Sequence, residues 1–177
     1  MKYLSTPFKH CLLLFPLIFL SACGFHLKST DGLVEKFPKI LLQSTPNSDL
    51  TRLIKVRLRG AGIEIVDTLS TDVAILKVEA ERRSSRTISL NVTAQNAETE
   101  LAYNLAYSIQ IPGYEAQNFS VNLYRDFVES SSKALAKSRE SELLTKELRA
   151  IAAEHIINTM LSLDNKNSAK IDQESPE

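Results

Sequence analysis

Alternation of apolar and polar residues along the chain predicts several β-strands. The clearest example is 99–111, where from Leu101 onward every second residue is a large apolar one and the intervening residues are small or polar. Residues 73–81 and 119–127 follow the same rule, and 37–44 also has strand-like composition. A period of two is what a sheet with one buried face requires.

Apolar residues at helical spacing predict two helices. Asn47 or Ser48 is suited to cap the first, whose apolar residues share one side and which ends near Gly60. Residues 131–163 contain no Pro or Gly and are rich in Ala, Leu, Lys and Glu, which predicts a long helix or a helical turn followed by one. Its apolar residues occupy two sides, so we expect it to contact more than its own sheet.

The order of these elements predicts the fold class. A strand, a helix, several strands and a long helix are typical of an α+β domain. We expect two helices packed on one face of a mostly antiparallel or mixed sheet of about four strands. The chain of 177 residues is long enough for one such domain and too short for two of ordinary size.

The first 22 residues read as a targeting segment. Lys2 and Lys9 precede and flank a ten-residue apolar run that ends in Leu20-Ser21-Ala22-Cys23. A positive start, a short apolar run and small residues before a cut site make a secretory signal, and the run is short of the roughly 20 residues that span a bilayer. The four residues ending in Cys23 are similar to the bacterial lipobox. This predicts cleavage before Cys23, S-diacylglycerol on its thiol and N-palmitoylation of the new amine.

Removing this segment changes the net charge and the cysteine content of the chain. The 21 basic and 21 acidic residues become 19 and 21 when Lys2 and Lys9 leave, so the mature chain has a net charge of −2. Cys11 leaves with the signal and Cys23 carries lipid, so no disulfide is expected. We predict a signal peptide at 1–22, a lipidated tether at 23–36, a folded domain at 37–163 and a disordered tail at 164–177. Gly24 after the anchor favours the outer membrane, with the domain on the periplasmic side.

Enzymatic and metal-binding chemistry is not indicated. The mature chain keeps only His26 and His155, which cannot supply the three or four clustered ligands of a zinc site. His155 falls near the middle of the apolar stripe of the long helix, where a core histidine is the simpler interpretation than a catalytic one. No nucleophile motif or phosphate-binding loop is present. We expect no catalytic residues, no metal, no cofactor and, from the balanced charge, no nucleic-acid partner.

Two groups of basic residues are candidate anion sites. Arg82, Arg83 and Arg86 follow a predicted strand with two serines between them, and such guanidinium groups can hold phosphate oxygens. A charged hairpin tip that discourages edge aggregation explains the same residues. On the first helix, three basic residues share the side opposite the apolar stripe, which suits either a solvated surface or a binding patch. These three are Arg52, Lys55 and Arg59.

Several short motifs, in this order, resemble one family. Cys23-Gly24-Phe25-His26-Leu27, the run from Ile109 to Gly113, Ala134-Leu135-Ala136-Lys137 and the acidic helix around Glu147 are similar to LPS-assembly lipoproteins of the LptE family. The resemblance covers about residues 1–163. It implies a plug inside the LptD β-barrel that supports barrel assembly, binds lipopolysaccharide and helps insert it into the outer leaflet. By motif position, Lys137 is the implied lipopolysaccharide contact, with Arg82, Arg83 and Arg86 as further candidates.

Two other functions remain open from the sequence. The chain suits a lipoprotein accessory subunit of another envelope machine, such as outer-membrane protein insertion or cell-wall anchoring. An envelope hydrolase would need a nucleophile and a base brought together by folding.

Overall fold

The structure is a computed structural model that describes residues 31–90, 96–130 and 134–163. Three helices and six strands are found in these ranges. The helices are α1 (Asp31–Lys36), α2 (Asp49–Gly60) and α3 (Ala134–Ser162). The strands are β1 (Lys39–Gln43), β2 (Glu64–Val66), β3 (Ala74–Val78), β4 (Arg82–Leu90), β5 (Asn96–Gln110) and β6 (Gln117–Ser130).

All six strands belong to one mixed sheet. β1 pairs in parallel with β2 and β3, and the remaining pairs are antiparallel. One edge of β5 pairs with β6 over most of its length. Its other edge pairs with β3 through residues 107–110 and with β4 through residues 97–104. The α+β class and the mixed sheet are therefore confirmed, with six strands rather than about four.

The core lies between one sheet face and the helices. The alternation predicted for β5 is confirmed, because Leu101, Tyr103, Leu105, Tyr107 and Ile109 are all buried. On α2 the buried residues are Leu50, Thr51, Ile54 and Leu58, and on α3 they include Leu148, Ala152, Ile156 and Met160. The apolar residues among these form a single hydrophobic cluster.

The start of α2 shows why the sequence folds as it does there. Ser48 is the N-cap, and its side chain accepts a hydrogen bond from the Thr51 amide at 3.1 Å. Asp49 adds a carboxylate in the first turn, where the positive end of the helix dipole favours it. Thr51 is buried yet satisfied, since its hydroxyl donates to the Thr45 carbonyl oxygen at 2.8 Å. The capping predicted from Ser48 is thus found.

The folded part begins earlier than the predicted boundary at residue 37. The sequence predicts a tether over residues 31–36, but they form α1, and Leu33 is completely buried together with Phe37. Lys36 Nζ donates to the carbonyl oxygens of Leu161 (2.6 Å) and Leu163 (3.0 Å) at the end of α3. We call this the α1–α3 contact. It joins the first and last described elements of the chain.

Of two predictions about α3, one is confirmed and one is wrong. The helix contacts α1 and α2 as well as the sheet. Its second apolar side is only partly used by the fold, because Ile157 is buried whereas Leu143 is 67% exposed. His155 was expected in the core, but its side chain is exposed. It lies one residue before the buried Ile156, so it falls beside the row of buried residues on α3 and not within that row. Its Nδ1 lies 3.3 Å from the Tyr107 hydroxyl at the margin of the core.

Candidate binding surfaces

A charged network connects the two long helices to the sheet. The Arg149 side chain on α3 is only 8% exposed, and it donates two hydrogen bonds to the Glu81 carboxylate, at 2.9 Å from Nε and 2.6 Å from Nη2. It donates a third to Asp49 on α2 at 3.2 Å. Tyr103 on β5 donates to the same Glu81 carboxylate at 3.0 Å. Two helices, the β3–β4 connection and β5 therefore meet at one guanidinium group.

The electrostatics of this network stabilise the charged forms of both partners. Hydrogen bonding from Arg149 holds the pKa of Glu81 below its ordinary value of 4.5, although partial burial opposes this. The same hydrogen bond raises the pKa of Arg149. Burial, with Glu81 nearby, raises the pKa of Tyr103, so its hydroxyl stays protonated and remains a donor. With its donors committed to carboxylates, Arg149 holds the fold together and is not a free anion site.

The sequence contained one signal for this network. Arg149 interrupts the apolar stripe of α3, next to the buried Leu148 and three residues before the buried Ala152. A charge at such a position requires a buried partner. Nothing in the local pattern identifies that partner, because Glu81 lies 68 residues away.

The structure separates the three arginines of the predicted cluster. They lie within β4 and not at a hairpin tip, and strand alternation sends neighbouring side chains to opposite faces. Arg82 and Arg86 pair with Asn104 and Glu100 on the face away from the helices, which we call the open face. Arg83 lies on the helix side, 3.8 Å from Glu81. The cluster is therefore not a single site.

The two open-face arginines differ in how strongly they are held. Arg86 Nε donates to Glu100 at 2.7 Å, and this hydrogen bond raises the pKa of Arg86. No ion pair is found for Arg82 among the described residues, and its side chain is exposed. A phosphate would have to compete with Glu100 for Arg86 but not for Arg82. Arg82 is thus the better anion candidate of the two.

The side chains of the two remaining predicted site residues, Lys137 and Cys23, lie outside the part of the chain that the structure describes. Lys137 belongs to the first turn of α3, and its side chain lies outside the described residues. The strand register nevertheless locates this turn, because Ser130 at the end of β6 pairs with Asn96 at the start of β5. The first turn of α3 thus follows from the end of the sheet where β4 joins β5. Cys23 and the whole targeting segment lie outside the described residues.

The middle part of the open face carries side chains that are polar or small. Its side chains come from alternate residues of β5 and β6, paired across the two strands. Tyr124 on this face is 53% exposed and Val128 is 60% exposed. No described helix covers it, since α1, α2 and α3 share the core on the other side. The polar members are Asn104, Ser108, Asn118, Ser120 and Asn122.

Two of the four basic residues along α2 are balanced by acidic ones. Two depressions of about 380 and 400 Å³ follow the α2–α3 junction and meet at Ala150. Arg52 at their border forms an ion pair with Asp49, and Arg57 lies 3.3 Å from Glu154. Lys55 and Arg59 are exposed. Of the three basic residues predicted to share this surface, Arg52 is thus paired with a carboxylate, and Lys55 and Arg59 are open to solvent.

The described part of the chain contains neither a metal-binding cluster nor a membrane-spanning helix. No three His, Cys, Asp or Glu residues in these ranges come together as a metal site. None of the described helices has the length and apolar content needed to cross a bilayer.

Comparison with known proteins gives consistent matches. The sequence model of the family described as "LptE: Lipopolysaccharide-assembly" matches residues 37–160. The LPS-assembly lipoprotein LptE of Yersinia pestis (strain Pestoides F) is 31% identical over 155 residues, which are 85% of this chain and 75% of that protein. The LptE of Yersinia pseudotuberculosis (strain YPIII) matches to the same extent.

Solved structures show the same architecture. Rare lipoprotein B from Shewanella oneidensis superposes with a TM-score of 0.66 at 40% identity, over 70% of this chain and 94% of that one. A minor lipoprotein from Acinetobacter baumannii gives a TM-score of 0.56 over 76% of this chain and 96% of its own, and at 15% identity it supports the fold alone. The family match extends from before β1 into the last turn of α3.

Proposed function

Because the chain belongs to the LptE lipopolysaccharide-assembly family, we propose that it plugs the lumen of an LptD-like β-barrel and supports that barrel's assembly. The two together would insert lipopolysaccharide into the outer leaflet of the outer membrane. Membership of this family means a non-enzymatic role in lipopolysaccharide assembly in the cell envelope. The observation that carries the proposal is the family match over nearly the whole described domain.

The geometry of the domain supports a plug. The lumen of a large transmembrane barrel is lined by polar side chains, because apolar and polar residues alternate along its strands. The open face offers amide and hydroxyl groups such as Asn104, Ser108 and Asn122 to such a wall. A lipid on Cys23 would hold the domain at the periplasmic side of the outer membrane.

Co-purification tests the plug directly. The tagged lipoprotein should retain a large β-barrel through detergent extraction of outer membranes and size-exclusion chromatography, at a constant ratio of one to one. Recovery of no barrel, at any detergent strength that keeps the lipoprotein folded, would contradict the proposal. Recovery of outer-membrane protein-insertion or cell-wall components instead would favour the accessory-subunit alternative.

We further propose that lipopolysaccharide phosphates bind at Lys137 and Arg82, with Arg83 and Arg86 contributing less. Lys137 is supported by its position in the family motif. Arg82 is supported by its exposed side chain, for which the described residues supply no acidic partner. Arg83 lies on the opposite face, near Glu81, and Arg86 is bound to Glu100, so each has less to offer a phosphate.

Single alanine variants should rank these side chains. Replacing Lys137 or Arg82 is expected to weaken lipopolysaccharide binding about tenfold each, the value of a charge-assisted hydrogen bond at a partly solvated site. Arg86→Ala should have a smaller effect. The measurement is binding of purified lipopolysaccharide to the detergent-solubilised lipoprotein at fixed ionic strength.

A matched lysine controls for overall charge. Lys55 is exposed on α2, and Lys55→Ala removes the same charge at a different surface. Its binding curve should overlay that of the unmodified protein. Equal losses for Lys55→Ala and Lys137→Ala would mean that net charge matters and that the site assignment is wrong.

A further inference from the structure

The sheet has two long free edges of very different character. β4 forms one of them, and it carries the features that prevent edge-to-edge association. Three of its residues are arginines, and its pairing with β5 is interrupted by a register shift between Thr87 and Ser89. Positive charges and bulges are devices by which sheet proteins blunt their edges.

The β6 edge lacks these devices. β6 has 14 residues, contains no proline, and pairs with β5 in unbroken register from Asn96↔Ser130 to Ile109↔Gln117. Most strands have about 3–10 residues, so this edge is long as well as regular. The structure describes the side chains of two charged residues of β6. Arg125 forms an ion pair with Glu147 of α3 at 3.0 Å, and Asp126 lies on the open face.

In the described part of the chain, the main-chain groups on the outer side of β6 take part in no further strand pairing. One outside contact is found, from the Arg125 guanidinium to the Tyr124 carbonyl oxygen at 3.3 Å. A strand edge presents a row of N–H and C=O groups that another extended segment can satisfy.

Resting on the proposed barrel partner, we propose that the outer edge of β6 binds an extended segment of that barrel protein as an added β-strand. A closed barrel wall has no free strand edges, so the segment must come from a loop or a terminus that enters the lumen. The main-chain hydrogen bonds would supply affinity. The added strand would bind the edge of the sheet, whereas a plug needs to contact the barrel wall only through the faces of the domain.

Side chains on the open face define the segment that fits. Tyr124, Asp126 and Val128 alternate on this face, and two of them are among the few large apolar residues exposed in the described chain. Residues directly opposite each other on paired strands interact most strongly. The matching segment has apolar side chains four residues apart with a basic residue midway between them.

Hydrogen exchange of the full lipidated chain, alone and in the barrel complex, tests this binding mode. In the chain alone, the outward-facing amides of β6 should exchange rapidly. In the complex they should exchange at least about tenfold more slowly, as expected for amides that enter a new strand pairing. The outer amides of β4 serve as the internal control and should change little.

A pair of lysine variants provides the second measurement. Tyr124→Lys with Val128→Lys should lower recovery of the complex about tenfold, a free-energy change of about 1.4 kcal/mol. The matched control is Val56→Lys with Leu143→Lys, which alters two equally exposed apolar residues on the helices. The control should leave recovery unchanged, and both proteins should unfold at the normal denaturant concentration.

Three results would overturn the inference. The first is a complex that forms without protection of β6. The second is protection already present in the isolated chain, which would mean that a second copy or the chain's own C-terminal segment covers the edge. The third is equal loss of recovery with both lysine pairs. In the first and third cases the plug survives, whereas failure to form any barrel complex removes the plug and the added strand together.

Discussion

Arg149→Ala is expected to lower the free energy of unfolding by about 3 kcal/mol, the usual cost of removing one partner from a buried ion pair. The substitution leaves the Glu81 carboxylate, which is 19% exposed, without its two strongest donors. Tyr103, which donates at 3.0 Å, and the more distant Arg83, at 3.8 Å, then remain to stabilise its charge. The contact from α3 to Asp49 of α2 is lost as well. Chemical denaturation at pH 7 measures the loss.

An exposed ion pair on the same helix supplies the control. Lys146 lies one turn before Arg149 and pairs with Glu142 at 2.9 Å, with both side chains mostly exposed. Pairs of this kind contribute about 0.3–0.5 kcal/mol, so Lys146→Ala should change stability by no more than that. Similar losses for the two variants would mean that the buried network contributes no more than a surface pair.

The same comparison made at several pH values should identify Glu81 as the partner. Because folding lowers the pKa of Glu81 below 4.5, its contribution is fully present above that pH and is lost as the pH falls through the lowered value. The difference in stability between the unmodified protein and Arg149→Ala should therefore be constant near neutrality and shrink in acid. A difference that stays constant down to pH 2 would exclude the carboxylate as its source.

Cys23→Ala is expected to abolish attachment of lipid. The thiol at this position is the nucleophile that the predicted diacylglycerol linkage requires, and the N-acyl group is added only after cleavage before it. Two or three acyl chains hold a protein on a bilayer durably, at about 0.8 kcal/mol per buried CH₂, whereas one chain holds it only marginally. Growth with a labelled palmitate analogue, followed by purification and intact-mass measurement, reports the loss.

Cys11 is the matched control for this experiment. It is the only other cysteine of the chain and belongs to the predicted signal peptide. Cys11→Ala should retain full labelling and the same mature mass as the unmodified protein, because the residue leaves with the signal. Label that persists in Cys23→Ala, or that disappears in Cys11→Ala, would contradict the predicted cut site.

Strands with one buried face were predictable, but the strand with none was not. β5 carries large apolar residues at every second position, and all five from Leu101 to Ile109 are buried as that pattern requires. β4 has the sequence RRSSRTISL, and its described side chains are exposed. Its strand conformation comes from pairing with β5, which no period within β4 indicates. The sequence therefore predicts the three arginines after a strand, as an anion site or a charged hairpin tip, and not within a strand of their own.

Short elements and contacts between residues far apart in the chain could not be predicted from the sequence either. α1 has six residues, too few to show a helical period, although Leu33 and Phe37 are four apart and both buried. The pairing of Arg149 with Glu81 depends on how α3 crosses the sheet. Long elements with one buried face follow from local patterns, whereas such contacts depend on tertiary packing.

The α1–α3 contact limits how far the C-terminal end of α3 can lie from the predicted membrane anchor. If Cys23 is the anchor, Asp31 is the eighth residue after it, and an extended chain covers at most about 3.6 Å per residue, or roughly 29 Å. The C-terminal end of α3, bound by Lys36, is then held against the part of the domain that lies nearest the lipid anchor along the chain. α3 has 29 residues and is about 43 Å long, so its first turn, with Lys137, can stand that much farther from the inner leaflet.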